Sequence, residues 1–583
     1  MKSKKWLISL GLAVVLVVAF ALPACEPAAP SGWKTPGGDF IEFEIGVSPG
    51  PSADMALMIA SDLQDFGLDV TYRVVDSTTF SYYIYRPDEG EFDTLINVGG
   101  PSPDPWSDWI WSFLSDPEEM GYLWNVTWWS NERFEELLLA NQVASNLTVK
   151  AEVLREMQAI AAEELPLIYL VRPEFISAYR TDKWENWHNQ MGGPTYWFNE
   201  YSIREVTNLT AETRFTQGGL DIIASVNMYP TRLQQQSDIG CLHGMLSYET
   251  LAYYPKVDED SLESNPLNTY EFYPKLATNY VITYEADGTG GQNQIWTVTL
   301  QEGVKWSDGE NFTADDVVYS MKCVNNPWHF TKPINWTVVD VTEEILPENV
   351  LIEAEDDLTV KMTYIDGYHN PVGWVPNWWL WDPMVPEHVF GLAGNVTYTN
   401  WNVDPHLWDG EGICTGPFKV TQFVADDYVL FERVDTYWGD LPAVEEYVHK
   451  LYGDRGTLFA ALEAGDIDTV DYIGVPHASV EDYQADPDIE VEFVEGISIY
   501  YLGFNLHPTA GYAPLQEEVL RQAIAYAIDK QDIVDMVYGG HGEVPDGWIY
   551  RDSGMHNPDL PQYEFNTTTA SDMLLAAGYT YVE

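Results

Sequence analysis

The 583-residue chain is poor in positive charge: 28 lysines and arginines stand against 91 aspartates and glutamates, for a formal net charge of −63. A surface so acidic repels nucleic-acid phosphates and anionic membranes and keeps the chain dispersed, which excludes nucleic-acid partners. It also fits a saline or acid-rich exterior. Cysteine is scarce: Cys25, Cys241, Cys323 and Cys414 are the whole set, with no C-x-x-C spacing. Neither a disulfide scaffold nor a zinc ribbon is indicated, and no metal site is expected. Apart from Cys25, the three cysteines cannot all pair, leaving one disulfide with a free thiol or three buried thiols. The 11 histidines form no His-rich cluster. H-E-x-x-H, a phosphate-binding loop, a dinucleotide fingerprint and internal repeats are all lacking, so no cofactor is implied.

Long apolar runs are absent except at the start. Lys2, Lys4 and Lys5 precede the run Trp6 to Ala21, then Leu22-Pro23-Ala24-Cys25. A basic region, a short apolar stretch and a small residue before cysteine read as an exported lipoprotein leader over 1–24, with Cys25 lipidated. The run falls short of the roughly 20 residues of a permanent span, and Pro23 is an unusual residue at its place. Residues 25–39, rich in Pro, Ala, Ser and Gly, have the composition of a flexible tether. Seven N-x-S/T sequons stand at Asn125, Asn146, Asn208, Asn311, Asn335, Asn395 and Asn566, candidates for glycan on an exported chain.

Aromatic residues are plentiful: 14% of the chain, including 23 tryptophans, against 20% charged and 45% hydrophobic residues. That content supports two or three packed domains, and so many tryptophans imply an aromatic-lined cavity or a very aromatic core. Phe40–Ile45 alternates as a strand, Ala53–Leu63 reads as a helix ended by Gly67, and Leu68–Val75 is the next strand: a βαβ unit and hence a parallel sheet. Between them Gly46-Val47-Ser48-Pro49-Gly50 matches the G-x-S-x-G nucleophile elbow. The elbow needs the amide N–H of the residue after the serine, and Pro49 has none, so a serine hydrolase is rejected. Further strands are expected at Leu165–Leu170 and Gly219–Ala224. Ile499–Asn505 reads as a buried strand, and Val519, Ile524, Ala525 and Ile528 as the apolar stripe of a helix over Val519–Lys530. Thr313 is placed to cap a helix carrying Asp315 and Asp316 in its first turn.

The run Trp296 to Val317 reads W-x-x-x-L-x-x-G-V-K-W-S-D-G-x-x-F-T-A-x-D-V. With Tyr248-Glu249-Thr250-Leu251, Pro274-Lys275-Leu276-Ala277, Tyr437-Trp438-Gly439, Ala461 to Asp468 and the Ile499–Tyr538 block, it resembles the family 5 extracellular solute-binding proteins. Those are the ligand-capturing subunits of ABC importers for peptides, nickel complexes and some oligosaccharides. Residues 90–184 resemble the same family's carboxyl-terminal half, yet stand first in this chain. Two accounts fit that order: circular permutation, the preferred one, since surface loops tolerate it, and a rearranged or truncated gene.

The resemblance implies an α/β, two-lobed periplasmic-binding-protein-like fold of the large type, with an extra subdomain and a hinge. It implies lobe II from 40–165 and 506–583 and a contiguous lobe I over 166–505. It implies an extracytoplasmic, membrane-anchored monomer that is no enzyme, with an oligopeptide-like ligand and ABC permease partners. The ligand is expected in the interlobe cleft, against Trp374, Trp378, Trp379 and Trp381, Phe504 and Asn505, and against Asp104 and Trp106 of the loop that faces ligand in the family. Dipeptide-binding members carry an acidic residue three places before that loop's Asp-Pro; here Pro101 stands there, and a buried ammonium without an anion is costly. Longer peptides or an oligosaccharide stacked on tryptophan faces are therefore favoured over a free dipeptide, and a nickel complex is disfavoured. A secreted glycoside hydrolase, needing two carboxylates about 5–10 Å apart, and an adhesin-like structural protein are the competing classes.

Overall fold

The structure, a computed structural model, describes residues 31–99 (except 85), 125–220 (except 143, 145–146, 190–192 and 196–198), 246–253, 272–323 (except 289–290), 350–365, 383–390, 412–494 (except 425 and 472–473), 496, and 498–583 (except 552–553). Among the described residues no helix is long and apolar enough to cross a membrane.

The βαβ unit forms as its pattern predicts. Strand Glu42–Val47 runs parallel to Asp69–Val74, with Glu42 opposite Asp69 and Val47 opposite Val74. Between them lies helix Pro51–Phe66, which starts on a proline, where no amide is missed, and ends at Gly67 in the left-handed region (φ 97°). Its buried face carries Met55, Ile59, Leu63 and Phe66. Around this unit a six-stranded mixed sheet runs in the order Gly542–Glu543, Leu167–Pro173, Ile499–Phe504, Thr94–Gly99, Glu42–Val47, Asp69–Val74. Neighbours in that sheet come from positions four hundred residues apart. Phe43 and Ile45 share one apolar core with Leu502, Phe504, Leu520 and Ile524, because strands buried on both faces need cover from whichever helices the chain can deliver. At the far end Gly32–Lys34 pairs antiparallel with Thr580–Val582, and the Trp33 indole N–H donates to the Phe66 carbonyl at 2.9 Å.

The helix expected over Val519–Lys530 ends at Ala527, and a second, unexpected helix follows it. Glu518–Ala527 stops at Ile528, whose backbone is extended (φ −99°, ψ 124°). Asp529 then caps a second helix, Lys530–Val537, by accepting the Asp532 N–H at 3.1 Å. Ile528 belongs to the apolar stripe although its backbone is extended, so periodicity carries the expected helix past its end; the capping aspartate is the local reason for the restart.

A seven-stranded sheet has the order Phe418–Val424, Tyr428–Arg433, Glu446–Leu451, Arg214–Gly219, Thr469–Val470, Phe175–Arg180, Ile489–Val494. The strand expected over Gly219–Ala224 ends at Gly219, and 221–224 lie outside the described residues. Helix Arg455–Ala464 closes on Gly465 (φ 74°), as its sequence indicates. Beside this sheet a four-stranded antiparallel sheet (Ala277–Ala286, Gln292–Leu300, Thr359–Tyr364, Val350–Asp356) packs with helix Ala314–Cys323.

The long signature motif sits in this last region, and its letters are core. Trp296, Val304, Trp306, Phe312 and Val317 are all buried in one cluster. Asp316, rather than the Thr313 hydroxyl, does the capping: its carboxylate accepts the Thr313 N–H (2.9 Å), the Trp306 indole N–H (3.3 Å) and the Glu387 N–H (2.8 Å). Of the cysteines, Cys414 is a buried free thiol that burial pushes up to about 12. Of the sequons, Asn125 is buried, its carboxamide bonded to Trp129 and Thr127, and Asn566 caps helix Thr567–Ala576.

Strands Leu167–Pro173 and Ile499–Phe504 correct the boundaries drawn at 165/166 and 505/506. Both belong to the six-stranded sheet. The chain passes between the two large sheets at Glu174, between Pro173 and Phe175, and again between Val494 and Ile499, where Gly496 and Ser498 are described.

Candidate functional site

The two linkers touch. A Cβ on Gly496 would overlap the carbonyl oxygen of Pro173 and stand 2.8 Å from its carbonyl carbon, so only glycine lets the two backbones lie this close. Residues from 541–550 clamp the pair. Tyr550 donates its hydroxyl to the Gly496 carbonyl at 3.0 Å, and the Glu174 amide donates to the His541 carbonyl at 3.2 Å. The Arg172 guanidinium, buried at 1% exposure, lies 4.0 Å from the Tyr550 ring centroid and pairs with Glu543 at 2.6 Å. The charge that burial would penalise is thus matched by a carboxylate and an aromatic face.

A second polar feature lies in the contiguous segment. Glu200 and Lys275 pair at 2.9 Å with side-chain exposures of 2% and 0%. Arg204 reaches Glu200 at 2.7 Å one helical turn away, and Glu249 at 3.1 Å. Glu249 also accepts from Tyr437 (2.9 Å) and the Trp438 indole (3.0 Å). Desolvation lowers the proton affinity of Lys275, against the pull of Glu200. Glu249 holds a left-handed backbone (φ 44°) that a non-glycine residue adopts only where surroundings fix it. The network anchors the Tyr248–Leu251 motif beside Gly416, whose amide donates to the Ser247 carbonyl at 2.7 Å. Glu249, Lys275, Tyr437 and Trp438 stand in separate motifs whose convergence no contiguous pattern announces; the i,i+4 pair Glu200/Arg204 is the local signal of it.

Of the expected ligand residues, Phe504 and Asn505 are described. Phe504 is fully buried in the six-stranded unit's core. Asn505 donates to the Pro87 (2.9 Å) and Phe92 (3.2 Å) carbonyls and accepts the His507 N–H (3.1 Å). It walls a small depression with Tyr83, Arg86 and Glu91, with room of about 10 Å³, that of one water. Both side chains serve the scaffold here. Trp374, Trp378, Trp379, Trp381, Asp104, Trp106 and Cys25 lie outside the described residues.

Ser48 stands between strand Glu42–Val47 and helix Pro51–Phe66, as the elbow pattern placed it, but among the described residues no hydrogen bond joins it to a histidine. Nor do three His, Cys, Asp or Glu side chains converge as metal ligands would among those residues.

Comparison with known proteins bears on this architecture. The family model for bacterial extracellular solute-binding proteins, family 5 Middle, matches residues 271–583, just over half of the chain. The dipeptide-binding protein of Escherichia coli (strain K12) is 25% identical over 327 residues, covering 54% of this chain and 56% of that protein. The oligopeptide-binding protein AppA of Bacillus subtilis (strain 168) is 25% identical over 293 residues, covering 49% and 48%. The chain thus spans about half the length of the curated relatives it matches. Among solved structures, AppA from Bacillus subtilis in complex with a nonapeptide aligns with a TM-score of 0.43 at 20% identity, over 63% of this chain and 65% of that one. On the extent of the family match, this chain belongs to the bacterial extracellular solute-binding proteins of family 5.

Proposed function

We propose that the chain captures an oligopeptide-like solute between its six-stranded and seven-stranded units and delivers it to the permease of an ABC importer. The observation that carries this is the pair of abutting linkers at Glu174 and Gly496. Two units joined by neighbouring strands swing about one axis, the motion by which hinged binding proteins close on a ligand. The names of the relatives, a dipeptide-binding and an oligopeptide-binding protein, support peptide as the solute class.

In this reading Trp374, Trp378, Trp379 and Trp381 supply apolar faces to the ligand, Asp104 and Trp106 meet it from the opposite unit, and Phe504 with Asn505 set the strand end beneath it. Cys25 carries the lipid that holds a monomer at the outer face of the cytoplasmic membrane, and no turnover accompanies binding. The order of the halves is circular permutation, supported by the pairing of Gly32–Lys34 with Thr580–Val582 and by the sheet assembled from 42–99 and 499–504.

Native mass spectrometry of the purified protein tests the reading. A stoichiometric peptide, released on denaturation, is the expected result. A ladder of sugars would move the ligand class to oligosaccharide, and hydrolysis of glycosides by the protein would refute a binding role.

A further inference from the structure

A ring stack bridges the two units beside the linkers. His541 lies in the Gly539-Gly540-His541-Gly542 turn that leads from helix Lys530–Val537 into strand Gly542–Glu543 of the six-stranded unit. Its imidazole stacks on two rings of the other unit. Phe493, on strand Ile489–Val494, is 4.7 Å away and tilted 22°; His477, opening the short turn His477–Ser479, is 5.4 Å away and tilted 8°. The turn is glycine-rich for a reason: Gly539 and Gly540 have φ of 61° and 86°, and a Cβ on Gly539 would already stand 3.5 Å from the His477 Cβ.

We propose that His477, stacked on His541, forms a pH-sensitive latch at the hinge, which fixes the angle between the units while the His477 ring is neutral and releases it when that ring is protonated. The proposal rests on the two-lobed reading above. The carboxylate beside the stack is Glu174, whose Oε2 lies 3.0 Å from His541 Nδ1 rather than on His477. Among the described residues no second carboxylate meets the stack. Tyr538, edge-on to His477 at 5.7 Å, and Tyr500 behind it are phenols that burial keeps neutral. Arg172 and Glu543 on the adjoining strands neutralise each other at 2.6 Å, while Asp54 bears on Tyr538 and Arg455 on Tyr500. His477 Nδ1 is buried without a hydrogen-bond partner among the described residues, so a proton there finds no acceptor.

The sign follows. Burial lowers the proton affinity of His477 below the ordinary histidine value, His541 lowers it further, and Glu174 opposes both. The latched arrangement therefore prefers the neutral ring. It is fully favoured above the ordinary value of about 6.5 and lost as pH falls below it, by up to about tenfold in the latched-to-free ratio per pH unit.

Small-angle scattering of the full chain between pH 8 and pH 5 tests the latch, on the wild type and on His477→Gln and His541→Phe. The second variant keeps an aromatic ring in the stack and leaves His477 as its one imidazole, so it reads His477 alone if the first folds poorly. The expected result is a radius of gyration that shifts as pH falls below the ordinary histidine value in the wild type and in His541→Phe, where His477 stays buried, and stays flat in His477→Gln. An equal shift in His477→Gln and wild type, none in His541→Phe, or none in the wild type overturns the latch. Adding a tryptic casein digest at pH 7.5 tests the two-lobed reading separately: a digest that leaves the wild-type radius unchanged counts against that reading, whatever the pH series gives.

Discussion

Gly496→Ala puts the linker contact to the test. The added methyl meets the Pro173 carbonyl, and the Cβ would lie 2.8 Å from its carbon. Both partners are backbone, so no rotamer change relieves the overlap and one linker must move. Overpacking of this kind costs about 1–3 kcal/mol, and moving Gly496 also strains the 3.0 Å hydrogen bond from Tyr550, which is worth about 1 kcal/mol. A loss of about 3 kcal/mol lowers the melting temperature of a unit of ordinary size by roughly 6–12 °C. Differential scanning calorimetry is the assay, because a chain of several sheets can melt in more than one step and a single two-state fit would hide the change. Gly453→Ala is the control: Gly453 has no atom within 4 Å of its added Cβ, so a shift within about 0.5 kcal/mol is expected. Equal melting of the two variants would refute the claim that the linkers abut at Gly496.

Other parts of the molecule make equally direct predictions. Lys275→Met leaves Glu200 buried with Arg204 as its remaining cation and should cost about 3 kcal/mol, read as a lowered melting temperature; an unchanged one would mean the network is solvated. Asp546 is held at about 2, since the hydrogen bond from His556 and the charge of Arg551 outweigh the upward push of burial. A lowered carboxylate stabilises the fold above its ordinary value and loses that contribution as pH falls through it. About 2 kcal/mol should therefore disappear between pH 4 and pH 2, and Asp546→Asn should flatten that part of the stability profile; a parallel profile would sink the assignment. Cys414, buried with its thiol pushed up to about 12, should resist iodoacetamide at pH 8 in the native protein and react after guanidinium unfolding, by peptide mapping.

Much of this was legible in the sequence where the signal is local. The strand, helix and strand of Glu42–Val74 follow from alternation, a 3.6-residue stripe and two glycines, and the observed register agrees. Gly465 ends its helix in the left-handed region for the same local reason. The family likeness was equally readable at Trp296–Val317, because those letters are the packed core of a small sheet and a core constrains residue types tightly. Legibility failed where a position's role is set by distant partners. Asn505 reads as a ligand residue at a strand end, and no local pattern announces that its carboxamide also donates to the Pro87 and Phe92 carbonyls, more than four hundred positions upstream.

By itself, the sequence determined the acidic, cysteine-poor character of the chain, its α/β elements and its family, all carried by composition, short-range periodicity or contiguous motifs. The tertiary structure alone decided which strands share a sheet, and so put the crossings at Glu174 and between Val494 and Ile499. It alone set Gly496 against Pro173 and His541 against Phe493 and His477. The physical reason is that a hydrophobic stripe states how much surface must be buried but not against what. The choice of partner is made by shape and charge between segments that local signals cannot relate.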